Sequence, residues 1–173
     1  MLPAARQVSS PNCDQRPPGV SPDLGLIHNI SLPPGVFAGD SVESLFCNRL
    51  DLGAHPYFES LRGLRVSAHF FVRRSGEVVQ FVPCSLRAWH AGVSSWRGRE
   101  RCNDFSVGIE LEGADEVAYA PGQYASLAGI ARALRRRYGL VAYAGHSDVA
   151  PGRKTDPGAA FDWVRFRSGL GTA

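Results

Sequence analysis

Apolar positions recur with two different periods along this chain, and each period marks an element. Between residues 121 and 138, Tyr124, Leu127, Ala128, Ala131, Leu134 and Tyr138 fall at the intervals of one helical face. Pro121 in the first turn and Gly139 after the last bound that helix, although Ala120-Pro121-Gly122 supplies no good N-cap. Residues 106–113 alternate strictly: Val107, Ile109 and Leu111 share one face, and Ser106, Gly108, Glu110 and Glu112 the other. That is the period of a strand. Residues 24–30 form a short, nearly unbroken apolar run of buried-strand length. Residues 64–73 and 77–82, rich in Val and Phe, predict a hairpin turning at Ser75-Gly76. Asp40 followed by Glu43 predicts a capping box for a short helix carrying Val42, Leu45 and Phe46. A short strand over 141–144 and a terminal helix over 161–166 complete the series. Residues 1–23, with five prolines, read as an extended wrapping arm with little regular structure, leaving a single domain over 24–173.

Composition narrows the class only a little. A chain of 173 residues, 44% hydrophobic and 20% charged, has the balance of a globular domain, which excludes disordered and collagen-like chains. A net charge of +3 is too small to suggest a nucleic-acid partner, and Arg135-Arg136-Arg137 sits where it complements a helix C-terminus. No segment approaches the roughly 18 apolar residues of a membrane span, and residues 1–6 do not open a signal peptide, so the expected location is the cytoplasm, away from membranes. Cys13, Cys47, Cys84 and Cys102 form no C-x-x-C pair, so free thiols are expected.

The candidate chemistry starts at residues 144–158. Pro and Gly breakers surround His146, Lys154 and Asp156, so the backbone should fold back there instead of continuing as helix or strand. His146 and Asp156 are both zinc-ligand types, and a catalytic zinc takes three protein ligands with one position open. Lys154, two residues before Asp156, projects to the same side of an extended chain. Taken alone, this stretch equally fits a solvated loop, and the metal reading needs a third ligand. His28 closes the apolar run just before a Pro-rich loop, where it is either an active-site residue or a satisfied core histidine. His69, mid-strand, reads as a packed core residue, while His55 before a proline has no assigned role. Arg65 is either a surface charge or a carboxylate clamp. Trp89-His90, flanked by alanines and Gly92, suits a concave wall or an ordinary packed aromatic. Gly108 opens space beside Glu110 for an approaching group, and Glu112 reads as a surface charge.

Five strings in order then decide among these alternatives: HNISLPPG (28–35), LRVSAHFFVRR (64–74), RAWHAGVS (87–94), GRERCNDFSVGIELEG (98–113) and GHSDVAPGRKTDPG (145–158), with FDWVRFR at 161–167. Together they resemble the AmpD amidases of cell-wall recycling, within the type-2 amidase and peptidoglycan-recognition superfamily. The resemblance implies an α/β (α+β) fold, a central mixed β-sheet flanked by helices with zinc in a groove on one face. It implies one Zn²⁺ per chain bound by His28, His146 and Asp156, with Glu110 and Lys154 as the catalytic pair. Asn29, Arg65, Trp89 and Arg101 fall on positions lining a muropeptide groove, and His90 matches a family position grouped with them. The implied reaction is hydrolysis of the amide between the lactyl group of (1,6-anhydro-)N-acetylmuramic acid and L-alanine; the residues at 1–6 favour a soluble anhydro-muropeptide as substrate, and a monomer is expected. The alternative is a non-catalytic peptidoglycan-binding module, which would be expected to have lost a ligand or the glutamate.

Overall fold

The computed structural model describes residues 4–171. At its centre is a six-stranded mixed sheet. The strands, in chain order, are β1 (Arg6–Gln7), β2 (Cys13–Gln15), β3 (Leu24–Ile30), β4 (Phe70–Val72), β5 (Val78–Gln80), β6 (Leu86–Ala88), β7 (Ser95–Trp96), β8 (Arg99–Glu100), β9 (Ser106–Glu112) and β10 (Ala142–Gly145). The central sheet runs β1-β5-β4-β9-β3-β10, and β2-β6 and β7-β8 form two small ribbons. Strands β4, β9, β3 and β10 are parallel neighbours, whereas β5 returns antiparallel to β4 through the expected turn, with Gly76 at φ 90°.

The alternation of β9 sorts the two faces of the sheet. Val107, Ile109 and Leu111 pack with Ile27, Phe70 and Val72 against helix α2 (Pro121–Tyr138), whose Tyr124, Leu127, Ile130 and Leu134 are buried there beside Phe166 of helix α4 (Trp163–Gly169). Gly139 ends α2 in the left-handed region, as expected. Gln123 makes good the weak start of α2. Its buried amide accepts from the Ala120 N–H at 3.0 Å and donates to the Val72 and Glu112 carbonyls at 3.1 and 3.0 Å. On the opposite face, helix α1 (Ser41–Phe46) and the 3-10 turn at Pro56–Leu61 cover the β4–β5 side with Val42, Leu45, Phe46 and Phe58. Ala91, Phe105 and Val149 cover the β3–β10 side.

Several expectations change. Asp40 does not cap α1, and Glu43 forms no capping box: its buried carboxylate instead takes the guanidinium groups of Arg6 and Arg73, because charged donors outweigh a backbone N–H. That contact holds down the N-terminal arm, whose described part is extended and adds β1 and β2 to the sheets; residues 1–3 lie outside the described residues. Glu112 is not a surface charge. It is 5% exposed and accepts the Arg74 N–H at 2.8 Å. The hairpin strands are shorter than predicted, since residues 64–69 stay irregular while His69 is buried and bonded to Gly108 through backbone and ring. All four cysteines are free thiols, and no helix among the described residues is long and apolar enough to cross a membrane.

Candidate metal centre

The parallel register builds the site. Gly145 is level with Ile27 and His28 with Glu110, so the next residue after β10, His146, falls into the same row as His28 and Glu110. Adjacent strands lie about 4.8 Å apart. Three chemically capable side chains therefore stand side by side at the C-terminal ends of parallel strands, where open sheets of this kind commonly bind ligands. His146 does not enter a loop as expected: it begins the single-turn helix α3 (His146–Val149), whose start is held by Asp148 accepting the Gly145 N–H at 2.7 Å. The chain then turns back, and Ser147 N–H donates to the Asp156 carbonyl at 3.0 Å. Gly145 permits this return, because a Cβ there would stand 2.8 Å from Pro157.

The donor atoms converge. His28 Nδ1 lies 3.0 Å from His146 Nδ1 and 2.9 Å from Asp156 Oδ2, and His146 Nδ1 lies 3.1 Å from that same oxygen. Bonds of roughly 2.0 Å to a tetrahedral zinc would separate its ligand atoms by about 3.3 Å, close to this triangle. His146 Nε2 must carry its proton to donate to the Ala91 carbonyl at 3.0 Å, which leaves the Nδ1 lone pair facing the cluster. Lone pairs and a carboxylate oxygen aimed at one point repel unless a cation stands among them. The donor set therefore fits a divalent metal. Burial lowers the His28 pKa, opposed by its bond to Asp156. Burial pushes the Asp156 pKa upward, but in the metal-free cluster a proton shared from the Nδ1 of His146 or His28 outweighs it and holds the carboxyl well below the usual range; a metal takes the place of that proton. Both groups are thus in their metal-binding forms near neutrality.

Glu110 is 9% exposed, and its Oε2 has no hydrogen-bond partner among the described residues. Burial, then the Asp156 charge, push its pKa well above the ordinary value, with Lys154 opposing. Glu110, Lys154, Asp156, His28 and His146 all line one groove of roughly 710 Å³. Its far wall carries Tyr57, Leu61 and Leu64.

The N-acetylmuramoyl-L-alanine amidase family model matches residues 21–159. This chain belongs to that family. AmpD of Citrobacter freundii, a 1,6-anhydro-N-acetylmuramyl-L-alanine amidase, is 56% identical over 169 residues, covering 96% of this chain and 90% of that protein. A crystal structure of a selenomethionine derivative of AmpD superposes with a TM-score of 0.97 at 54% identity, covering 99% of this chain and 97% of that one. An Escherichia coli AmiD complex with anhydro-N-acetylmuramic acid-L-Ala-D-gamma-Glu-L-Lys matches at a TM-score of 0.64 and 29% identity, over 90% of this chain and 60% of that one.

The remaining site candidates of this amidase are spread more widely. Asn29 lines the groove and donates to Asp115 Oδ1 at 2.7 Å, and His90 lines it next to His28. Arg65 is exposed between the groove residues Leu64 and Val66. Trp89 is half-buried near Asp14, and Arg101, at φ 61°, pairs with Asp104 at 3.3 Å beside a neighbouring cavity. The group that approaches through the space at Gly108 is His90, since a Cβ at 108 would stand 2.5 Å from its ring. Sequence reasoning missed Asn103, Arg153 and Asp115, all near the site, and the buried Arg16, whose guanidinium donates to the Cys84, Asn103, Asp104 and Ser106 carbonyls. Only the pairing of Asn103 with an adjacent acid offered any local signal, and it resembles a turn.

Proposed function

We propose that this amidase holds one Zn²⁺ with His28, His146 and Asp156 and hydrolyses the amide joining the lactyl group of 1,6-anhydro-N-acetylmuramic acid to L-alanine of a stem peptide. The observation that carries this reading is the convergence of three donor atoms beside a buried carboxyl with an unpartnered oxygen. When bound, zinc supplies a water of pKa near 7 and a Lewis acid for the carbonyl. Glu110 takes a proton from the attacking water at its open Oε2 and passes it to the alanine nitrogen as that amine departs. Burial keeps Glu110 basic enough to hold the proton between the two transfers. Lys154 donates to the oxygen that becomes negative as the carbonyl carbon turns tetrahedral.

Binding follows the same division of the groove. The Tyr57, Leu61 and Leu64 wall takes apolar faces of the sugar, and Asn29 offers its amide to the lactyl–peptide segment. Arg65 and Arg101 suit the carboxylates of an acidic stem peptide, and Trp89 suits the apolar face of a sugar ring. The high identity to the Citrobacter enzyme, a 1,6-anhydro-N-acetylmuramyl-L-alanine amidase, supports the anhydro sugar as substrate. Mass spectrometry of anhydro-muropeptide incubated with the zinc-loaded protein tests this. The expected products are the anhydro sugar acid and a free peptide beginning with L-alanine. Binding without turnover would instead support a peptidoglycan-binding module.

A further inference from the structure

The histidines behind the cluster form a directional chain. A His28 whose Nδ1 lone pair faces a metal carries its proton on Nε2, and that nitrogen lies 3.0 Å from His90 Nδ1. His90 Nδ1 is then the acceptor, and His90 Nε2–H points at Ser106 Oγ, 3.4 Å away. The next residue does the same for the other imidazole, because the Ala91 carbonyl accepts from His146 Nε2 at 3.0 Å. One side chain fixes this pair of residues. Asn103 Oδ1 accepts both the His90 and Ala91 backbone N–H groups, at 3.1 and 2.9 Å. Gly108 leaves the room that the His90 ring occupies.

We infer that His90 and Asn103 are positioning residues for the metal: Asn103 clamps the 90–91 backbone, and from it the His90 ring and the Ala91 carbonyl set the tautomer and angle of His28 and His146 respectively. This rests on the zinc reading above and assigns His90 to the back of the metal centre instead of to the substrate. Outer hydrogen bonds of this kind change metal affinity by about 10- to 100-fold.

Three variants of the full chain test it by zinc affinity in chelator competition and by the visible absorption of the cobalt(II)-substituted protein. His90→Leu keeps similar bulk and removes the acceptor, so zinc affinity should fall about 10- to 100-fold and the cobalt bands should shift. His90→Asn returns an amide oxygen near the position of Nδ1 and should restore affinity to within roughly threefold of wild type. Asn103→Ala leaves His28, His146 and His90 chemically unchanged but frees the 90–91 backbone, so it should weaken zinc in the same direction, and it decides the matter together with His90→Asn if His90→Leu fails to fold. Wild-type zinc affinity and unchanged cobalt bands in Asn103→Ala, or in folded His90→Leu with only KM raised, would overturn the inference. So would a folded His90→Asn as weak as His90→Leu. If the wild-type protein itself takes up no zinc, the failure lies with the metal reading instead.

Discussion

Replacing Glu110 by Gln separates what that side chain does for the reaction from what it costs the fold. An unfolded Glu titrates at about 4.3. Burial, reinforced by Asp156, holds the folded carboxyl well above that. Between the two values the folded chain binds a proton that the unfolded chain has released, so stability falls as pH rises through the interval. Gln has nearly the same shape and no proton to lose. The side chain is 9% exposed with one oxygen unpartnered; a neutral group buried so costs about 1–3 kcal/mol and a charged one more, so Gln is spared only the additional cost of the charge. Taking that additional cost as about 2 kcal/mol, and about 2–4 °C per kcal/mol for a chain of this size, metal-free Glu110→Gln should melt about 4–8 °C above metal-free wild type at pH 8. That gap should close as pH is lowered towards 4.5. Scanning calorimetry of both proteins across this range is the assay. Equal or lower stability at pH 8, or a gap independent of pH, would refute the reasoning. With zinc restored, the same variant should keep its metal and lose about 100- to 10,000-fold in kcat.

Lys154→Met should lower kcat about 100- to 1,000-fold at unchanged zinc content, measured by steady-state hydrolysis and metal analysis. Glu43→Gln should lose about 1–3 kcal/mol in urea unfolding by leaving Arg6 and Arg73 short of a partner. Because those arginines hold the Glu43 pKa down against burial, this deficit should be largest at neutral pH and shrink as acid protonates the wild-type carboxyl. Gly108→Ala places a methyl 2.5 Å from the His90 ring, and chemical denaturation should show a loss of about 1–3 kcal/mol together with weaker zinc binding.

Periodic burial was legible in the residues, and so was the helix α2. The alternation of Val107, Ile109 and Leu111 announced both the strand and the face that packs on α2, and the Pro121 and Gly139 boundaries held. The meeting of His28, His146 and Asp156 was not legible from spacing alone, because it depends on β3 and β10 pairing in register across more than a hundred residues of chain; the family strings supplied it. Glu112 misled because a charged residue at a strand end reads as solvated, and Glu43 because its spacing from Asp40 reads as a capping box; only the fold brings Arg74 and Arg73 to them. Asn103 and Arg16 act through backbone carbonyls and N–H groups, which leave no residue-type pattern to read.

The most direct measurement is zinc per chain by mass spectrometry of the purified protein, set against His146→Ala and Asp156→Ala after mild chelation. About one zinc in the wild type and almost none in either variant is the expected result for a three-ligand site. Full retention of zinc by Asp156→Ala, or none in the wild type under zinc-replete conditions, would contradict it.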